Sequence, residues 1–399
     1  MASIATPEAA MSPIIRILAS ILALFVAMGV GRFSLTPQLP HLIAEGQVDL
    51  TGAGLIAAAN YLGYLVGALD ALRATAPEQA RRRLFGGLWA GVAITLTSAW
   101  AFGFWPHVAL RFAAGVASAW VLVVLTALAA QVAVQAGRPR LAGLIFTGPS
   151  LGVLATGLMA LALNLLGQGS SSAWLLYGVT ALVLTAAIHP LLPRPQARAD
   201  TAPQQTGPRS KAFYPLLVAY SLVGIGYIIP ATFLSQMAAA QFHGQWLADL
   251  FWPAFGLVAT LGVLLVSLRR PGSGNTGRWL VGALWLQALG VLACLFPGMA
   301  GLALGVIFCG GPFLASMLLV MQRAREIDPL GHARNVGLLT AGFALGQLGG
   351  PLLAALSSHF SGGLRPALLL AAGALLLAGG LMLKAREEVK VETVAACRG

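Results

Sequence analysis

The segment Gly137 to Gly152 reads GRPRLAGLIFTGPSLG, and Gly331 to Gly346 reads GHARNVGLLTAGFALG. Both follow the pattern G-x-x-R-x-x-G-L-x-x-x-G-x-x-x-G, at an offset of 194 residues. Two further matches share nearly the same frame. Met28-Gly-Val-Gly-Arg32 pairs with Val223-Gly-Ile-Gly-Tyr227, and Gly115 pairs with Gly310, each at an offset of 195. One register that fits all three to within a residue reads as an internal repeat of two homologous halves. The join lies at 194–212, rich in Pro, Gln and basic residues, a composition suited to a flexible linker.

Around this repeat the chain is too apolar for water. Of 399 residues, 58% are hydrophobic and 9% charged, and the mean hydropathy is +0.83. A soluble core cannot enclose that much apolar surface. A membrane-spanning helix needs roughly 20 mostly apolar residues, and twelve such stretches follow one another with short polar breaks. They start near Ile14, Thr51, Leu84, His107, Leu141, Trp174, Phe213, Leu247, Arg278, Met299, Asn335 and Gly363. Runs of this length lack the alternation of a barrel strand, so their backbone groups must be satisfied within helices. The expected fold is an all-α membrane protein of twelve helices in two six-helix halves. Its expected parts are an N-terminal tail at 1–13, bundles at 14–193 and 213–384, the linker at 194–212, and a C-terminal tail at 385–399.

The formal charge of +12 marks a membrane side, and not a nucleic-acid partner. Apart from Arg32, Arg111 and Arg365, the basic residues sit in the tails or at breaks of one parity, as Arg81 to Arg83, Arg138 and Arg140, Arg194 to Lys211, and Arg323 and Arg325 do. The positive-inside rule then puts both termini in the cytoplasm, as an even number of spans requires. A bacterial inner membrane is the expected location and a monomer the expected state. Cys294 and Cys309 fall in apolar spans and Cys397 in the tail, so the three cysteines read as unbridged. The first span reads as an uncleaved helix, and Met11 just before it is a second possible start.

Arg32 is the most informative single residue. It lies 16 residues beyond Arg16, about 24 Å along a helix, still inside the apolar span. A charge at the bilayer centre costs at least about 3 kcal/mol, and such residues usually face a wet cavity or a partner. The alternative is snorkelling to the surface or a structural ion pair. Gly29 and Gly31 precede it, and Gly224, Gly226 and Pro230 stand in the matched helix. Interrupted helices at matched places point to a binding site, with close helix packing as the competing reading. On this basis Arg32 is an anion-binding or coupling candidate, with Tyr227 as its partner from the other half. Gln347 lies about 18 Å into its helix, near midplane, and is a candidate donor. Asn60 and Tyr64 share a helix face at i and i+4 and are further candidates; an interhelical hydrogen bond is their plainer explanation. Carboxylates are nearly absent from mid-membrane, because Asp70 lies near a cytoplasmic end and Glu45, Asp49 and Asp249 lie at outer breaks. An anionic or neutral solute therefore fits better than a cation.

Two six-helix halves with a basic central loop resemble the major facilitator superfamily. More narrowly, Gly29-Val-Gly-Arg-Phe33, Thr36-Pro-Gln-Leu-Pro40 and Gly224-Ile-Gly-Tyr-Ile-Ile-Pro230 resemble the bacterial YbfB/YjiJ-type family over roughly Ile14 to Lys384. The resemblance implies a transporter whose halves rock about a midplane site. It also implies further roles. Arg111 and Gly115 resemble the fourth-helix motif whose arginine is tied to proton coupling; an interfacial arginine beside Trp105, His107 and Trp120 is the other reading. Gly67-Ala-Leu-Asp70 with Arg73 and Arg81 to Arg83 resembles a degraded inward-gate motif, where a solvated basic loop is the alternative. Gly143, Gly148, Pro149 and Gly152 resemble the antiporter motif of the fifth helix, and packing by small residues also accounts for them.

No G-x-x-x-x-G-K-[ST] loop occurs, and no His or Cys spacing suits a metal. The expectation is no cofactor, and a gradient as the energy source. The leading reading is a secondary transporter of a small organic solute, proton-coupled, with its partners the solute, protons and the bilayer. A multidrug exporter and a non-transporting membrane sensor are the alternatives; an enzyme is the least supported class.

Overall fold

The computed structural model describes residues 12–74, 76–195, 210–242, 245–269, 275–328 and 332–396, with backbone only at 332–334 and 385–396. The expected linker and N-terminal tail fall largely outside these residues, and Met11, Gly331 and Cys397 wholly so. Among the described residues the helices group into twelve segments in chain order. They are α1 (Pro13–Ala44), α2 (Leu50–Leu72), α3 (Pro77–Thr97), α4 (Phe104–Gln135), α5 (Leu141–Leu165) and α6 (Ser170–Leu191), then α7 (Phe213–Gln241), α8 (Trp246–Leu268), α9 (Thr276–Ala293), α10 (Met299–Ile327), α11 (His332–Ser361) and α12 (Arg365–Ala396). Ten of them are long and apolar enough to cross a membrane. The two that fall short are α3 and α9. The first carries Glu78 and Arg81 to Arg83 in its opening turns, and the second spends positions on Arg278 and Gln287.

Helix starts follow local chemistry and not hydropathy, which is why several lie ahead of the expected positions. Pro77 occupies the first turn of α3, where a missing N–H costs nothing. That helix therefore begins seven residues before Leu84, and Arg81 to Arg83 lie within it and not in a loop. Asp49 caps α2 by accepting from the Gly52 amide at 2.6 Å. Gly103 and Gly298 adopt φ of +82° and +92° immediately before α4 and α10, and Gly167 and Gly362 adopt +68° and +69° before α6 and α12. Only glycine takes such values without strain. Each pair is separated by 195 residues.

Small residues then let the helices meet backbone to backbone. A Cβ on Gly152 would lie 2.6 Å from the Gly29 Cα of α1, and one on Gly346, its match in the repeat, would lie 3.1 Å from the Gly224 Cα of α7. The contact of α5 on α1 is thus made by the same motif glycines as that of α11 on α7. Within α1, residues Phe25–Phe33 form a π-helical stretch, so the first helix departs from α geometry around Gly29 and Gly31. The matched helix does not: α7 runs as one α-helix with Pro230 inside it. Gly224 and Gly226 serve packing there, against the Phe343 carbonyl of α11 and Leu375 of α12.

Contacts between α1–α6 and α7–α12 close the molecule at both ends. At the arginine-poor end, the Thr36 hydroxyl donates to the Ala231 carbonyl at 3.1 Å. Thr51 and Ser358 hydroxyls meet at 3.4 Å, and Gly157 packs on Pro253. At the arginine-rich end, Gly143 approaches Ser267 and Leu318, and Gly337 approaches Leu72. Between them remains a central void of about 10 Å³, roughly the least that holds one water.

Candidate functional site

The void is built around Arg32. This residue is the last but one of the π-helical stretch of α1 and is 1% exposed. A π turn re-aims side chains and is frequent at functional positions. The guanidinium Nη2 donates to Gln347 Oε1 at 3.1 Å, across 315 residues of sequence, and Gln347 Nε2 donates to the Tyr227 hydroxyl. Its carbon lies 3.9 Å from the centre of the Tyr64 ring, 4.7 Å from Tyr61 and 5.4 Å from Phe33. Cation–π contacts of this kind are worth about 2 kcal/mol each when desolvated. Arg32 Nε has no partner. Among the described residues no carboxylate pairs with Arg32 or Arg111; the ion pairs present lie elsewhere.

Aromatic rings complete the wall. Phe343 is stacked between Tyr220 and Tyr227, with interplanar angles of 12° and 7°. Phe313 stands edge-on to Phe33 at 5.6 Å and tilted on Tyr227 at 5.1 Å. Tyr61 and Thr232 share a hydrogen bond of 3.1 Å just beyond the void.

Arg111 is buried one layer away. It lies seven residues into α4, about 10 Å along the helix, because that helix begins at Phe104. Its Nη2 donates to Ser98 Oγ at 2.6 Å and Nη1 to the Gly31 carbonyl at 3.3 Å. The guanidinium lies 4.5 Å from the Trp174 ring. An interfacial arginine beside Trp105 and Trp120 does not describe it, since it is fully buried and Trp120 instead donates to Asp70 Oδ2 at 2.8 Å. Arg111 thus holds the backbone of the residue that precedes Arg32.

The other candidates distribute as follows. Tyr64, Tyr227, Gln347 and Pro149 line the void with Arg32. Asn60 is buried but not among its lining residues. Gly29 packs on Gly152. Asp70 is clamped by Arg83, whose Nε and Nη2 donate at 2.8 Å and 3.0 Å. Arg73 is exposed nearby. This clamp joins α2, α3 and α4 and lies within the first six helices. Sequence reasoning passed over Phe313 and Phe343 in the wall, Tyr61 against Arg32, and Ser98 and Trp174 around Arg111. The spacing of Phe343 and Gln347, four apart on one helix, is the one signal that pointed to any of them. At the arginine-poor surface, Glu45 accepts from the Ser170 amide at 2.7 Å and hydroxyl at 2.6 Å. Burial would raise the Glu45 carboxyl, but Ser170, Gln47 and the nearby His41 hold it below its usual pKa. Among the described residues no three of His, Cys, Asp and Glu gather to hold a metal ion.

The arrangement is a buried cation in an aromatic shell, shared between α1–α2 and α7–α11. Comparison with known proteins bears on what such a fold does. No curated protein is similar enough in sequence to count as a relative. Among solved structures, the human organic anion transporter MFSD10 (TETRAN) superposes with a TM-score of 0.66 at 18% identity, over 94% of this chain and 100% of that one; at that identity the likeness concerns the fold. A family model matches residues 24–383, with the description "Uncharacterised MFS-type transporter YbfB". On that match the chain belongs to this family, and it is a multi-pass membrane transporter of the major facilitator type.

Proposed function

We propose that the protein is a secondary active transporter that moves a small organic anion across the bacterial inner membrane by alternating access, coupled to protons. The observation that carries the reading is the Arg32 charge, 1% exposed, with a neutral amide and tyrosine faces for company. An unpaired buried cation is costly, and an anionic solute entering the void offsets that cost. A neutral solute gains less, and a cationic drug is repelled. The exporter alternative is correspondingly weaker, because Gly148 is accounted for by its contact with the Ile21 carbonyl.

Alternating access needs two halves that move about the site. Support comes from the positive-φ glycines recurring at 195 residues and from the equivalent contacts of α5 on α1 and α11 on α7. We read α3 and α9 as spans also, which gives twelve, with the arginine-rich end and both termini in the cytoplasm. Arg111 is the coupling candidate, since its bond to the Gly31 carbonyl links it to the turn that carries Arg32. We take the working unit to be a monomer.

Proteoliposomes test these assignments together. A panel of organic acids, with their neutral amides and amines as controls, is first ranked by thermal shift on the purified protein. Arg32→Ala is expected to abolish uptake and exchange of the responding acid while insertion stays intact. An Arg111 variant should still exchange it but no longer accumulate it against a proton gradient. Uptake by Arg32→Ala equal to the parent would end the anion reading.

A further inference from the structure

A groove of about 610 Å³, much roomier than the central void, lies on the flank of α8, α9 and α10. That volume falls within the roughly 300–1,000 Å³ of small-ligand sites. Leu265 of α8 and Gly282 and Leu286 of α9 form its sides, and Pro312 and Ala315 of α10 form its floor. The groove exists because glycines act oppositely on its two sides. A Cβ on Gly262 would lie 1.8 Å from the Gly311 carbonyl, so α8 is pressed onto α10; around Gly282 there is nothing within 4 Å. Helix α9 stands off and leaves a channel. Leu265, Trp279 and Leu286 are exposed, so the channel faces the hydrocarbon of the bilayer.

One end differs. Asn275, Arg278 and Trp279 line the groove at the start of α9, and Arg269 lies 4.6 Å from the Trp279 ring. Glu326, a carboxylate beside this end, accepts from the Thr276 hydroxyl at 2.6 Å and from Arg323 at 3.1 Å. Arg278 donates to the neutral Asn275 Oδ1, and among the described residues no carboxylate pairs with it. From Arg278 to Leu286 is eight residues, about 12 Å along the helix, close to the roughly 15 Å of one hydrocarbon leaflet.

We propose that this groove binds an anionic phospholipid, with its phosphate at Arg278 beside Trp279 and an acyl chain along Gly282 to Leu286. Free phosphate would leave the apolar length uncovered, and a zwitterionic lipid would bring Arg278 no net counter-charge. Basic pockets between spanning helices are suited to such headgroups. The site shares a wall with the central void: Pro312 and Ala315 face the groove, while Phe313, Leu314 and Met317 of the same helix line the void. A lipid seated here therefore bears on the helix that presents Phe313 to Tyr227.

Native mass spectrometry of the full chain in mild detergent tests this without any transport assay. Phosphatidylglycerol and phosphatidylcholine of identical chains are titrated against the parent, Arg278→Gln and Gly282→Phe, with Leu286→Trp as a second way to fill the groove should Gly282→Phe misfold. The parent should hold phosphatidylglycerol about fivefold more tightly than phosphatidylcholine, the worth of one surface arginine. Arg278→Gln should erase that preference, and the groove-filling variants should lower retention of both lipids. Equal binding of the two lipids by the parent would overturn the proposal, as would unchanged binding in folded groove-filling variants. Displacement of phosphatidylglycerol by glycerol phosphate alone would likewise overturn the acyl-chain part.

Discussion

Arg32 is held away from water by a hydrogen bond to Gln347 and the faces of Tyr64 and Tyr61. That balance makes Gln347→Glu a decisive substitution. The new carboxylate would occupy the amide's place 3.1 Å from the guanidinium and form the buried ion pair the native site lacks. Thermal stability should rise while anion transport falls by about two orders of magnitude or more, since a solute would have to break a pair worth roughly 3–5 kcal/mol. Parent-like transport by this variant would show that the Arg32 charge does not face the solute. Glu45 makes a separate prediction in pH. Its folded pKa is depressed, so it adds stability above its unfolded pKa, near 4, and loses that contribution as pH falls through the folded value. Glu45→Gln should unfold at a lower temperature than the parent at pH 7, and the gap should close as the carboxylate range is crossed; a gap constant in pH would refute the charge-based account. At this scale the sequence exposed the polar members of the site, because a charge or amide in an apolar helix stands out. Phe313 and Phe343 did not stand out, since phenylalanine in such helices is ordinary, and nothing local reports that Gln347 meets a residue 315 positions away.

The elements are held by reciprocal glycines, as α2 with α4 shows. A Cβ on Gly63 would lie 2.0 Å from the Phe112 carbonyl, and one on Gly115 would lie 2.1 Å from the Asn60 carbonyl. Backbone cannot yield as a side chain does, so Gly115→Val should push the two helices apart and carry Arg111, one turn away, off Ser98 and the Gly31 carbonyl. Overpacking usually costs about 1–3 kcal/mol, and a backbone clash belongs at the upper end. Gly91→Ala is the matched control: it has open space around it, and alanine should leave α3 unchanged or up to about 1 kcal/mol more stable. Unfolding in detergent, followed by circular dichroism, should separate the two variants in opposite directions, and similar melting would sink the packing account. The repeat singles out Gly115, Gly148 and Gly346 in the sequence itself, because close packing in lipid depends on small residues at regular spacing. Helix starts were less visible. Hydropathy marks where a helix enters lipid, whereas α3 begins at Pro77 in the polar layer. The unbroken course of α7 through Pro230 also escaped the sequence, since neighbouring helices decide whether such a residue interrupts a helix.

For the whole molecule, the central void of about 10 Å³ means that a solute can enter only if contacts at one end part. The polar ones at the arginine-poor end are Thr36 with Ala231, Tyr61 with Thr232, Thr51 with Ser358 and Asn164 with Asp249, beside apolar packing such as Gly157 on Pro253. They join α1, α2 and α5 to α7, α8 and α11, and among the described residues none is an ion pair. Hydrogen bonds of this kind contribute about 0.5–1.5 kcal/mol apiece, so their rupture is within reach of a solute that binds better to an open state. Thr51 and Ser358 stand where α2 begins and α11 ends, with their hydroxyls 3.4 Å apart, a separation from which paired cysteines can close a disulfide after small adjustment. Cys294 and Cys309 are buried, and with Cys397 replaced by Ser in every variant oxidation should act on the engineered pair. In proteoliposomes the oxidised Thr51→Cys, Ser358→Cys protein should neither take up nor exchange solute, and reduction should restore both. Each single variant should work under either condition. If the bridge forms, as gel mobility would report, and transport continues at the parental rate, that end does not open and a rocking motion of the two halves about Arg32 is excluded. Arrest relieved by reductant would instead tie transport to a separation of α2 from α11.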